Sequence, residues 1–186
     1  MKKTNKIKLI FGLGNPGDKF INTPHNFGRD LLVAVSEKKL IYQNNNFQLD
    51  RYGDIYLAIS KKYMNESGIV LKEILTKFNL KTEETLIIHD EADLPFLWVK
   101  LTFNKQASMH KGVESIYQKC GKNIWRLRIG IQGVKRKKAD KIILTKLKGN
   151  SLISWLKAKK KFKIFLDLIN DKDIQKISLP KLFFLD

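Results

Sequence analysis

Residues 85–89, Thr-Leu-Ile-Ile-His, form a short continuous apolar run that ends in polar residues. A run of this length without alternation suits a strand buried on both faces. Such strands belong to parallel sheets covered by helices on each side. The rest of the chain can supply that cover. Residues 26–39 and 66–78 carry apolar residues at helical spacing, the second with Ile69, Val70, Ile74, Leu75 and Phe78 on one face. Residues 6–13, 54–60, 97–103 and 124–131 read as further strands, 111–120 as a helix, and about 139–147 and 151–170 as two more helices. The order β-α-β-α-β-β-α-β-α-α predicts a single domain over 1–186. Its fold class is a three-layer α/β sandwich, with a twisted, mostly parallel mixed sheet flanked by helices. The region from about 139 to 186 is expected to be helical and basic.

Charge narrows the partners. The chain has 36 lysines and arginines against 18 aspartates and glutamates, a net +18. Residues 135–186 alone hold 15 basic residues and 5 aspartates. A surface of this sign attracts polyanions, nucleic acid first among them, unless it is only the solvated face of a lysine-rich protein. No apolar run approaches the ~18–20 residues of a membrane span, and the N-terminus lacks a small-residue cleavage site. Cys120 is the only cysteine, so no disulfide forms within the chain, which fits a reducing compartment. A cytoplasmic protein with no membrane partner is the expectation.

The segment KLIFGLGNPGDKF, residues 8–20, contains Gly12-x-Gly14-x-x-Gly17, the spacing of a dinucleotide fingerprint. In that fingerprint the last glycine opens a helix whose N-terminus meets a pyrophosphate. Here Pro16 precedes Gly17, Pro24 interrupts the next residues, and helical spacing begins only near Asn26. The loop therefore reads as a sharp turn at the carboxyl edge of the sheet, where open α/β sheets hold their sites. It is suited to presenting Asn15.

Three histidines lie where elements meet: His25 in TPHNFG, His89 in LIIHDEADLP and His110 in SMHKG. No pair has the spacing of a metal site, and one cysteine removes the usual zinc patterns. Asp90, Glu91 and Asp93 crowd the end of the buried strand, either as a soluble turn or as a charge that orients a histidine. Asn65 precedes a helix as an N-cap or as a ligand. No GxSxG elbow or P-loop occurs. Hydrolysis by an activated water is the natural enzymatic reading, with an imidazole base, a carboxylate that holds its tautomer and an amide at the reacting carbonyl.

Five ordered blocks, GLGNPGDKFINTPHNFG, KKYMNESG, IIHDEADLP, HKGVESI and RLRIGI, together resemble the bacterial-type peptidyl-tRNA hydrolases from about residue 8 to 150. The resemblance implies a monomeric α/β enzyme that needs no metal or other cofactor and no protein partner. Such an enzyme cleaves the ester between a peptide and the 3′ end of tRNA. It implies His25 as general base and Asp90 as the acceptor that orients it. Asn15 and Asn65 would bond the peptide and ester region, Met64 would form an apolar wall, and His110 keeps its family position.

Two departures stand out. Lys111 occupies the place of the family's asparagine in a stretch that has lost its glycines. Thr102 occupies one position of the clamp for the tRNA phosphate; Arg128 fits the other, with Lys100 and Lys105 as candidates to compensate. The alternative is a catalytically weak relative that binds or processes RNA.

Overall fold

The computed structural model describes residues 6–36, 40–106 and 109–185. Its helices and strands are β1 (Leu9–Gly12), α1 (Phe27–Val35), β2 (Tyr42–Gln43), β3 (Phe47–Tyr52), β4 (Ile55–Ser60), α2 (Ser67–Lys77), β5 (Thr85–Pro95), β6 (Val99–Phe103), α3 (Lys111–Cys120), β7 (Trp125–Gln132) and α4 (Gly149–Asp171). The strands make one mixed sheet in the order β2-β3-β4-β1-β5-β7-β6. The middle four, β4-β1-β5-β7, are parallel, and both edges are closed by antiparallel strands.

The buried run behaves as its sequence requires. Leu86 and Ile88 of β5 face one core, with Phe27 and Leu31 of α1 and Trp155, Phe162 and Phe165 of α4. Ile87 faces the other core, with Val70, Leu71 and Ile74 of α2 and Val113 and Ile116 of α3. Phe27 and Trp155 stack with ring centroids 4.1 Å apart, joining α1 to α4. The result is three layers with the sheet in the middle.

Three readings of the sequence are corrected. The hairpin β2–β3 is an addition, because Phe47 and Leu49 are too few apolar residues to show an alternation. Its turn is made by Asn44, whose Oδ1 accepts from the N–H of Asn46 and of Phe47. Strand β5 does not stop at His89 but runs on to Pro95, with a register shift between Glu91 and Pro95. Residues 139–147 are not a helix. Only Ala139–Lys141 forms a turn of 3-10 helix; local turns follow, and Ile143 and Leu147 are bonded to the backbone of His25 and Asn22. No helix among the described residues is long and apolar enough to cross a membrane.

Candidate active site

The site begins where β1 ends. Gly12, Gly14 and Gly28 let α1 close onto the sheet. A Cβ at Gly28 would stand 2.1 Å from the Ile88 carbonyl oxygen, and one at Gly12 2.4 Å from that of Gly28. This approach brings Asn26 against Asn15. The Asn15 N–H donates to Asn26 Oδ1 and the Asn26 Nδ2 returns a bond to the Asn15 carbonyl, both at 2.9 Å. Asn15 Oδ1 accepts from the Met64 N–H at 2.9 Å. Its backbone is thus fixed by Asn26 and its side-chain oxygen by Met64, and the Nδ2 donor is what it offers to the cleft. Asn26 is a site residue that the sequence reading missed; its one signal is its place beside His25 in the TPHNFG block.

His25 lies in the 3-10 turn Pro24–Asn26, and its N–H donates to the Ile143 carbonyl at 2.9 Å. His25 Nδ1 stands 2.9 Å from Asp90 Oδ1. His110 Nε2 stands 2.8 Å from the same oxygen. His25, Asp90 and His110 are 8%, 4% and 7% exposed. The partners fix the two tautomers. Asp90 accepts only, so both facing nitrogens carry a proton. His110 caps α3 with Nδ1, which accepts from the N–H of Gly112 at 3.2 Å and of Val113 at 3.4 Å. His25 is left with a bare Nε2 in the cleft.

Burial alone would raise the pKa of Asp90; the two imidazoles, His110 foremost, outweigh it and hold the carboxyl well below the usual range. His89 is displaced in the same neighbourhood. Burial, then His110 and Arg126, keep its pKa well below the ordinary value, so it stays neutral. Its Nδ1–H donates to the Asp90 carbonyl at 2.6 Å.

The cleft above these groups measures about 510 Å³. Met64 forms its apolar wall, packed on Gly112 and nearly buried, while Asn65 and Lys111 stand exposed at the rim. The far wall is Ala139, Asp140, Ile143 and Leu144, from the segment whose sequence reads as helical. The sequence-predicted group Asn15, His25, Met64, Asn65, Asp90, His110 and Lys111 therefore lines one cavity.

The residues expected to hold phosphate lie elsewhere. Lys100 and Arg128 are opposite each other on β6 and β7, and Thr102 is opposite Arg126. Arg128 is buried, with Nε 2.7 Å from Glu91 Oε2. Thr102 Oγ1 is buried with no partner among the described residues. Lys100 and Lys105 are exposed.

His25, Asp90 and His110 also offer three ligand atoms within 4.8 Å of one another, the donor set of a transition-metal site. The surroundings oppose one. A histidine that binds metal through Nε2 donates its Nδ1–H outward. Around His110 Nδ1 the neighbours are backbone N–H donors. These residues fit a proton, not a cation.

A mixed α/β sheet with an imidazole–carboxylate pair in a cleft at its carboxyl edge has the build of a hydrolase. Similarity to known proteins names the family. The model of the peptidyl-tRNA hydrolase family matches residues 9–180, well past the limit of the motifs, and the chain belongs to that family. It is 34% identical over 151 residues to a peptidyl-tRNA hydrolase of Mycoplasmoides gallisepticum, covering 79% of this chain and 82% of the relative. The crystal structure of peptidyl-tRNA hydrolase from Acinetobacter baumannii is similar with a TM-score of 0.73 at 25% identity, over 93% of this chain and 99% of that one. A complex of peptidyl-tRNA hydrolase with N-propanol matches at 0.74 and 26% identity, over 94% of this chain and 100% of that one.

Proposed function

We propose that the chain hydrolyses the ester between the peptide and the tRNA 3′ end, with His25 as general base. The observation that carries this reading is the 2.9 Å contact of His25 Nδ1 with Asp90 Oδ1 in the wall of an open cleft. The carboxylate keeps the proton on Nδ1, so Nε2 is free to take one from water. The resulting hydroxide attacks the ester carbonyl carbon. The bond to the ribose 3′ oxygen then breaks, and His25 returns its proton to that oxygen. The products are a peptide acid, which gives up its proton to solvent to become the carboxylate, and a tRNA with a free 3′ hydroxyl. Asp90 steadies the imidazolium formed in between.

An ester of this kind is an activated bond, so no covalent intermediate is needed. A positioned base contributes about 10²–10⁴-fold and each donor to the oxyanion about 10²–10³-fold. Asn15 Nδ2, Asn65 and Lys111 are the donors at hand. Lys111 donates but cannot accept, so it suits the carbonyl or an RNA oxygen rather than a peptide N–H. Lys100 and Lys105 are the exposed cations that add phosphate contacts, while Arg128 is buried against Glu91.

The test is release of free tRNA from peptidyl-tRNA by the wild type and by His25→Ala. Turnover in the wild type and its loss in the variant, with tRNA affinity kept, is the expected result. Equal turnover in both removes His25 from the mechanism. No turnover in the wild type leaves an RNA-binding relative.

A further inference from the structure

The turn that carries His25 has no anchor in the apolar interior. No side chain of residues 18–26 belongs to either of the two cores. The place of this turn therefore depends on hydrogen bonds. On the side of the sheet they are those already described, His25 with Asp90 and Asn26 with Asn15. On the outer side they gather at a half-buried residue outside the cleft lining, Asn22.

Asn22 has a φ of 59°, in the left-handed region, which asparagine tolerates better than most side chains. Its N–H, carbonyl and Oδ1 each meet a different part of the chain. The N–H donates to Asp30 Oδ2 of α1 at 2.7 Å. The carbonyl accepts from the Leu147 N–H at 2.9 Å. Oδ1 accepts from Lys159 Nζ of α4 at 3.0 Å. Further along the turn, the His25 N–H donates to the Ile143 carbonyl at 2.9 Å. Residues 22–25 and 143–147 thus run side by side in opposite directions, and Ile143 lines the cleft. The acceptor Asp30 is buried, and its charge faces Lys159 and Arg29.

We propose that Asn22 is a positioning residue: by joining α1, α4 and the chain behind the cleft wall to one turn, it sets where the base stands relative to the far wall. This rests on the reading of His25 as general base. Asp90 steers the ring, but the place of Nε2 in the cleft also follows the backbone of the turn. A misplacement of about 1 Å at a reacting group costs roughly 10²-fold in rate. The side chain of Asn22 serves one of these bonds, the link from Oδ1 to Lys159. Glycine at this position accepts the positive φ and keeps the N–H and carbonyl bonds, so it removes that link alone.

The test uses Asn22→Gly and Lys159→Met, which each remove the bond, the two together, and Lys159→Arg, which keeps a donor. Lys157→Met, at an exposed lysine of the same helix, controls for the loss of charge. KM and kcat are measured on peptidyl-tRNA well below the Tm of each variant, and exchange of the His25 amide proton is followed by NMR. Each single variant should lower kcat about tenfold. Each should also speed exchange at His25 at least about tenfold relative to the amides of β1 and β5. The double variant should fall no further than the singles, because both remove the same bond. Lys159→Arg should stay near the wild type, and Lys157→Met should leave kcat unchanged. Unchanged kcat and exchange in Asn22→Gly overturns the proposal. So do losses that multiply in the double variant, or a change in KM alone in Lys159→Met. Wild-type protein that does not cleave peptidyl-tRNA overturns the catalytic reading instead, and exchange at His25 still decides whether Asn22 holds the turn.

Discussion

The rings of His25 and His110 lie 4.8 Å apart, and each directs a nitrogen at the same oxygen of Asp90. One carboxylate thus serves two imidazoles with opposite duties. His25 exposes its second nitrogen to the cleft; His110 turns its own toward the backbone of α3. The positive end of that helix acts on Asp90 through the His110 ring.

His110→Ala should therefore lower kcat more than it raises KM. Losing one hydrogen bond to a charged group is worth about 1.5–3 kcal/mol, or roughly tenfold or more in rate. His110→Gln, which keeps an N–H donor, should recover part of the loss. Steady-state kinetics on peptidyl-tRNA checks both. A rise in KM alone would make His110 a substrate contact and not a support for Asp90.

Asp90→Asn should cost about 10³–10⁴-fold in kcat, because the amide can present its N–H to His25 and favour the wrong tautomer. Binding of deacylated tRNA should be unchanged. The measurement is single-turnover hydrolysis beside tRNA affinity.

Asp30 gives the fold a pH dependence of its own. Burial raises its pKa to about 6, against the pull of the Asn22 N–H, Lys159, Trp155 and Arg29. The folded state binds the proton more tightly than the unfolded one. Stability therefore falls as pH rises from about 4 to about 6, and the penalty is complete above that, at most about 3 kcal/mol. Asp30→Asn keeps an acceptor for Asn22 and removes the charge. It should raise Tm at pH 7.5 and give no gain at pH 4, read by thermal melts at the two pH values.

The layout of the sheet was legible because β1, β4 and the start of β5 are written in apolar runs, β7 in apolar residues alternating with Arg126 and Arg128, and α1 and α2 in helical spacing. The edge hairpin was not, since Gln48 and Asp50 interrupt β3 and its pairing depends on β4 across a turn at Gly53. Most of the cleft was readable from short polar blocks at strand ends. Its far wall was not: Ile142, Ile143 and Leu147 look helical in isolation. Ile143 and Leu147 are held by the N–H of His25 and the carbonyl of Asn22, partners more than a hundred residues away, while Ile142 closes a local turn on Ala139. Nor does a sequence say that Arg128 is matched by Glu91, because their encounter depends on the pairing of β5 with β7.

Gly28→Ala should destabilise the protein by about 3 kcal/mol or more, since the added methyl meets backbone atoms of Ile88 and Leu13 that have no room to yield. Gly112→Ala should cost less, because its nearest neighbour is the flexible end of Met64. Urea unfolding of the two variants ranks them.

The bond from the His25 N–H to the Ile143 carbonyl ties the proposed base to chain made after every strand of the sheet is complete. A copy released from the ribosome at about residue 135 would contain all seven strands and yet lack the partner of that backbone N–H, together with Trp155, Phe162 and Phe165 of α4 that cover one face of the sheet. The far wall of the cleft and one covering layer of the core are thus both supplied by chain made after the sheet, so completion of the site and completion of the fold fall on the same segment.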